Sequence, residues 1–257
     1  MFLSLISGSS GNASLIKNED TTILIDCGLS LKRLSETLDK LDIDCEDIDA
    51  LLITHEHSDH IIGAGVLSRK FDIPIYTTEE THKAMNIGAI KDYNIKVIDP
   101  SLDFEIGSIG INTFQLSHDA TNPIGYSFYD KDKKYSIVTD TGIITEDILK
   151  SIHNSDYVML EANHDVDMLM YGKYPFNLKK RILSDSGHMS NDYSAKIAFD
   201  LLENNTKNFM LSHLSDNNNT PDIAYRTVHN ALLEYGAKVG EDISLCVANR
   251  YEVTSFI

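Results

Sequence analysis

Four candidate metal ligands, His55, His57, Asp59 and His60, crowd into His55-Glu56-His57-Ser58-Asp59-His60, directly behind the apolar run Asp49 to Thr54. The run reads as a buried strand and Ile61 to Lys70 resumes helical composition, so His55 to His60 are expected on the loop leaving the carboxyl end of a strand. That is where α/β folds gather their active sites. Imidazole and carboxylate are donors that zinc, manganese and iron accept. In an extended loop, side chains two apart point the same way, which directs His55 and His57 at one ion and leaves Asp59 and His60 to face a second. A lone histidine is ordinarily a surface or satisfied core residue, and His82, His153 and His229 are read that way.

Short strand-like runs alternate with helical patterns along the chain, the signature of an α/β protein. Strands are expected at Phe2 to Ile6, Ser14 to Lys17, Thr22 to Asp26, Ile75 to Thr77, Ile95 to Ile98, Ile109 to Leu116, Gly125 to Tyr129, Tyr135 to Thr139, Asp156 to Leu160 and Phe209 to Ser212, with strand composition again from Leu245 to Ile257. Leu31, Leu34, Leu38 and Leu41 form one apolar stripe on a helix over Leu29 to Leu41. Ser190 or Asn191 caps a helix carrying Ile197, Ala198, Leu201 and Leu202, and a further helix runs from Asn217-Asn218-Asn219-Thr220-Pro221 to about Tyr235. No linker or short repeat divides the chain, so residues 1–257 are expected to form a single domain.

Composition narrows the setting. Three cysteines at irregular spacing, Cys27, Cys45 and Cys246, do not make a disulfide framework or a cysteine zinc knuckle. Met1 to Ile6 lacks the layout of a secretory signal and no stretch approaches the length of a membrane span. A cytoplasmic protein is expected. The net charge of −17, from 22 basic and 39 acidic side chains, opposes nucleic-acid binding unless the contact face departs from the average. One stretch does depart: Tyr171 to Arg181 holds Lys173, Lys179, Lys180 and Arg181 with no carboxylate, a composition that a solvated helix face explains equally well.

The His-x-His-x-Asp-His segment resembles the signature of the metallo-β-lactamase superfamily, and the order of the later motifs is similar. The resemblance implies a four-layer αββα sandwich with two divalent ions, Zn or Mn with Fe also accepted, at one sheet edge. It carries the first metal's third histidine onto His118 in Thr113-Phe114-Gln115-Leu116-Ser117-His118, the bridging carboxylate onto Asp140 in Thr139-Asp140-Thr141-Gly142, and the last ligand of the second metal onto His213 in Leu211-Ser212-His213. The implied metal set is therefore His55, His57, Asp59, His60, His118, Asp140 and His213. Many true β-lactamases of the superfamily have cysteine where Asp140 stands, which makes antibiotic hydrolysis an unsuitable reading. Glu161-Ala162-Asn163-His164-Asp165 and Gly187-His188-Met189-Ser190-Asn191 resemble motifs of ribonuclease Z-like enzymes, and with Gly8-Ser9-Ser10-Gly11-Asn12 the whole chain is similar to the YycJ/WalJ family of exonuclease-like proteins. Nothing in the span from Asp140 to His213 has room for the large inserted domain of the ribonuclease J branch, and no long exosite arm of the ribonuclease Z kind is evident.

This resemblance implies a metal-dependent 5′-3′ exonuclease on DNA. Asp59 would orient the attacking water besides ligating metal, and His188 would protonate the departing sugar oxygen, with Glu161 holding its ring and favouring its charged form. The helix after His188 would offer free amides to a phosphate, Asn163 and His164 would line the cleft, and Ser9, Ser10 and Asn12 would either contact phosphate or build a turn. Two other functions fit the same ligands: a glyoxalase II-like thioester hydrolase, and a non-enzymatic metal-binding regulatory protein. Oligomeric state is not legible.

Overall fold

The structure, a computed structural model, describes residues 1–256. Two seven-stranded sheets pack face to face. The first is built from β1 (Phe2–Ile6), β2 (Ala13–Lys17), β3 (Thr22–Ile25), β4 (Ala50–Leu52), β5 (Ile75–Thr77) and β6 (Ile95–Val97). The second comprises β7 (Phe104–Ile106), β8 (Ile109–Gln115), β9 (Ile124–Asp130), β10 (Lys133–Val138), β11 (Tyr157–Glu161), β12 (Asn208–Ser212) and β13 (Ser244–Val247). The chain then returns to the first sheet as β14 (Thr254–Ser255), which pairs antiparallel with β1. Each sheet begins with antiparallel neighbours and continues with parallel ones, from β3 to β6 and from β10 to β13.

Parallel neighbours need crossovers, and helices supply them on the outer faces. These are α1 (Leu31–Leu38), α2 (Ser58–Ile61), α3 (Ala64–Phe71) and α4 (Glu79–Ala84) beside the first sheet. Beside the second lie α5 (Glu146–Ile152), α6 (Val166–Tyr171), α7 (Phe176–Ile182), α8 (Asn191–Glu203) and α9 (Pro221–Glu234). The strand periodicity of two sorts side chains between layers. On β3, Ile23 and Ile25 enter the apolar layer between the sheets while Leu24 turns outward to Leu34 and Leu38 of α1. On β11, Met159 faces the other sheet while Val158 and Leu160 face Ala198 and Leu201 of α8. Three apolar layers therefore separate four layers of structure, the αββα sandwich expected. Burying a leucine such as Leu34 or Leu38 completely stabilises by about 2 kcal/mol, which is why the leucine stripe fixes α1 to the sheet.

Three expectations are corrected. His55 to His60 do not all lie on a loop: His57 is the N-cap of α2, and Asp59 and His60 ride on that single helical turn. The expected closing strand is two strands in different sheets, broken at Asn249, whose side chain accepts from Tyr251 and Glu252 amides; its last residue, Ile257, lies outside the described residues. The leucine helix is α-helical only to Leu38, and Leu41 sits on a tighter turn. Among the described residues no helix is long and apolar enough to cross a membrane, and the three cysteines are free and buried.

Candidate metal centre

All seven expected ligands converge at one end of the sheets, where the parallel strands finish. Asp26 follows β3, Thr54 and His55 follow β4, His118 follows β8, Asp140 follows β10, and His213 follows β12. Glu161 is the last residue of β11 and stands in register beside Ser212. Three of these strand-end residues, Asp26 (φ 57°), Asp140 (φ 60°) and His213 (φ 56°), adopt the left-handed conformation. That region costs an L-residue energy, least for Asp, Asn and His, and it turns each side chain off the strand's alternation and across the strand ends.

Donor atoms gather in overlapping groups within 4.8 Å: His55, His57 and His118; Asp59, His60 and His213; and Asp140 with members of each. His57 Nδ1 lies 3.0 Å from His55 Nε2 and 3.3 Å from His118 Nε2. A neutral imidazole nitrogen is either a donor or an acceptor, so hydrogen bonding cannot satisfy all three, whereas one cation among three lone pairs does. Asp140 Oδ2 and His213 Nε2 are buried without a hydrogen-bond partner. Donors held at about 2.0–2.1 Å by a tetrahedral ion stand roughly 3.3 Å apart. His60 Nε2 to Asp140 Oδ2 and His213 Nε2 to Asp140 Oδ1 are both 3.4 Å. The residues present fit divalent metal.

His60, His118 and His213 are each oriented by a second partner, which fixes the nitrogen left for a metal. Asp26 Oδ2 accepts from His60 Nδ1 at 2.7 Å and from Thr54 Oγ1 at 2.8 Å, leaving His60 Nε2 to the centre. His118 Nδ1 donates to the Gly187 carbonyl at 3.2 Å. Glu161 Oε1 accepts from Nδ1 of both His188 and His213 at 2.8 Å, while its Oε2 accepts from the Thr141 amide at 3.0 Å and the Met189 amide at 3.3 Å. Asp26 and Thr54 were not singled out from sequence; the one signal was an acidic residue ending the expected strand Thr22 to Asp26.

Burial and charge oppose each other here. Burial penalises the His60 imidazolium, but Asp140 and Asp26 outweigh it and push its pKa up to about 9. Burial likewise opposes charge on His213, which Asp140, Asp59 and Glu161 hold well above the usual range. Burial tends to raise Asp59 and Glu161, yet the histidines around them hold both carboxyls below the ordinary range. His55, surrounded by other imidazoles, goes the other way: burial and then its neighbours' charge drive it down. A bound cation takes over the proton's role at these nitrogens.

The remaining expected residues divide. His188 joins the centre at its rim. Asn12 is nearly buried and serves the protein itself: Oδ1 accepts from the Gly8 amide at 3.0 Å, and Nδ2 reaches the Gly8 carbonyl, Asp59 Oδ2 and His60 Nε2. The Gly8 to Asn12 turn is packed so closely that a Cβ on Gly11 would meet the Gly28 carbonyl at 2.3 Å. Ser9 and Ser10 are exposed on that turn. Asn163 and His164 do not line an open cleft: both are buried, and Asn163 Nδ2 donates to the His213 carbonyl at 2.9 Å. Nor are the amides opening α8 free as expected, since Ser190 Oγ accepts from Tyr193 and the His164 carbonyl from Asn191.

Fold and site together define a metal-dependent hydrolase of the metallo-β-lactamase class. The chain belongs to the β-lactamase superfamily: the family described as "Beta-lactamase superfamily domain" matches residues 21–214. It is 40% identical over 245 residues to Exodeoxyribonuclease WalJ of Streptococcus pneumoniae serotype 2, covering 94% of this chain and 91% of that protein. It is 38% identical over 245 residues to Exodeoxyribonuclease YycJ of Bacillus anthracis, covering 93% and 92%. Among solved structures, the metallo-β-lactamase fold protein YhfI from Bacillus subtilis superimposes with a TM-score of 0.72 at 18% identity over 98% of each chain, a likeness of fold.

Proposed function

We propose that this chain is a dinuclear phosphodiesterase of the cytoplasm that removes nucleotides from the 5′ end of DNA. The observation that carries the reading is the pairing of His188 with Glu161 at the rim of the metal nest. A phosphodiester leaving group is an alkoxide that needs a proton, and a rim imidazole oriented by a buried carboxylate is built to give one. The relatives matched over nearly their whole length are named exodeoxyribonucleases, which supports nucleic acid, and DNA ahead of RNA, as the substrate. Donors drawn from both sheets support treating residues 1–257 as one domain, and free buried cysteines support a reducing compartment.

His55, His57 and His118 would hold one ion and Asp59, His60 and His213 the other, with Asp140 between them; zinc, manganese and iron all suit these ligands. When bound, such ions would supply positive charge for phosphoryl oxygens and bring the pKa of bound water toward neutrality. Asp59, the more exposed of the two aspartates, orients the attacking water. His188 keeps Nδ1 on Glu161, so its Nε2 is the atom that passes a proton to the departing deoxyribose oxygen. The buried Asn163 and Asn12 position His213, Asp59 and His60 rather than touch substrate, leaving the exposed hydroxyls of Ser9 and Ser10, on the turn that Asn12 closes, as the phosphate contacts of that segment.

One purified sample offered end-labelled DNA, the same sequence in RNA and a glutathione thioester, with chelator and with zinc or manganese added back, tests this. Metal-dependent release of mononucleotides from the 5′ end of DNA is expected. Thioester turnover without nucleotide release would replace the reading with the thioester hydrolase, and metal binding without turnover of any substrate would favour the regulatory protein.

A further inference from the structure

The acidic surface leaves open how a polyanion would be held, and one element departs from it. From Met168 to Ser184 the chain carries Lys173, Lys179, Lys180 and Arg181 and no carboxylate, within a protein of net charge −17. This is the hairpin of α6 and α7 apart from the first turn of α6, which carries Asp167. Each helix is anchored by one buried apolar side chain, Leu169 and Ile182. Lys179 is spent internally, donating to the Met170 and Gly172 carbonyls that end α6, and Arg181 pairs with Asp119 at 2.5 Å. Lys173 and Lys180 make no ion pair among the described residues. The hairpin also carries the two most exposed large apolar side chains described, Tyr171 at 88% and Phe176 at 74%. Rings so exposed contribute nothing to the core, and their flanking by unpaired cations points outward, to a ligand with flat apolar faces and negative charge.

The hairpin is also fastened to the metal centre. The Ile182 carbonyl at the end of α7 accepts from the His188 amide at 3.0 Å, and a Cβ on Gly187 would meet that same carbonyl at 2.2 Å. Asp119, held by Arg181, adjoins His118. We propose that α6 and α7 form a platform for single-stranded nucleic acid, on which bases stack against Tyr171 and Phe176 while Lys173 and Lys180 meet phosphates, feeding the strand to His188. The inference rests on the phosphodiesterase reading and adds the strandedness of the substrate. A duplex hides the faces of its bases, whereas an unpaired strand offers every face to an aromatic ring.

The test uses metal-loaded protein and a fluorescein-labelled phosphorothioate oligothymidine of about twelve nucleotides, within the site sizes usual for single strands and resistant to cleavage. Tyr171→Ala/Phe176→Ala is expected to weaken its binding by roughly 5- to 150-fold for each stacked base lost. Lys173→Gln/Lys180→Gln should flatten the dependence of log Kd on log salt by about 1.4, or ~0.7 per phosphate contact. The wild type should bind the single strand in preference to a blunt duplex of the same length. Unchanged affinity in the aromatic variant overturns the proposal. So does a wild-type dimer that the aromatic variant dissolves while keeping its oligonucleotide affinity, because the rings would then serve self-association. Hydrolysis of bis(p-nitrophenyl) phosphate by wild-type protein reads the metal centre alone: no turnover sinks the phosphodiesterase reading, while turnover alongside unchanged affinity in the aromatic variant sinks only the platform.

Discussion

Glu161→Gln replaces two acceptor oxygens with one acceptor and one donor inside a pocket that presents four donors. Glu161 is fully buried; His188 and His213 donate to Oε1, and the Thr141 and Met189 amides donate to Oε2. If the glutamine oxygen stays with the histidines, its NH2 faces two amide hydrogens; if it flips, the NH2 faces the two imidazoles. In the first case two buried donors lose their acceptor at about 1–3 kcal/mol each, toward the lower end because the Met189 contact is already 3.3 Å long. About 2 kcal/mol follows, or a fall in Tm of roughly 4–8 °C for a chain of this size. In the second case His213 must accept at Nδ1, which puts its proton on Nε2 and removes the lone pair facing the centre. Loss of such an orienting partner typically costs ten- to a hundredfold in metal affinity. Melting with and without metal, together with chelator competition for the bound ion, measures both routes. A variant with wild-type Tm and wild-type metal affinity would refute the orienting role.

His188→Ala should retain full metal content while turnover on DNA drops by about 10²-fold or more, and elemental analysis beside steady-state kinetics reads both; unaltered turnover removes His188 from the proton transfer. His57→Ala should instead lose metal and nearly all activity, since it breaks the three-nitrogen nest with His55 and His118; full metal occupancy in that variant would sink the ligand assignment. His164 gives a pH dependence. It is buried with neither ring nitrogen partnered, and burial lowers its pKa from 6.5 to about 4. Because the folded value lies below the unfolded one, the unfolded chain binds more protons, and stability present above pH 6.5 is lost as pH falls toward 4. Between pH 7.5 and 5 this one group should remove about 2 kcal/mol, so urea unfolding of His164→Leu should decline by that much less than the wild type; parallel declines would show that His164 titrates normally.

The ligand set was readable because metal chemistry confines it to a few residue types, and His55 to His60 place four of them at a strand end. The layers were readable because strand and helix periodicities differ, as in Ile23-Leu24-Ile25 and in the leucines of α1. What orients the ligands was not. Asp26 is a single carboxylate whose role depends on β3 lying beside β4, a pairing across many residues. For Asn12 the sequence allows either a phosphate contact or a turn, because Gly-Ser-Ser-Gly-Asn suits both, and it is the packing on Gly28 and Asp59 that shows it bracing the site. The α6 and α7 helices are too short, at six and seven residues, to show a helical period, and of their apolar residues only Leu169 and Ile182 are buried.

The left-handed backbone at Asp26, Asp140 and His213 bears on how the protein would respond to losing its chemistry. A glycine at position 140 would relieve about 1 kcal/mol of torsional tension while deleting the carboxylate between the two ion sites. The empty protein would thus come out sturdier at position 140 for being disabled, whereas Asp26 and His213 are held by hydrogen bonds to buried partners that glycine would forfeit; a search for heat resistance alone should therefore drift toward inert proteins at position 140, and needs activity as a second filter.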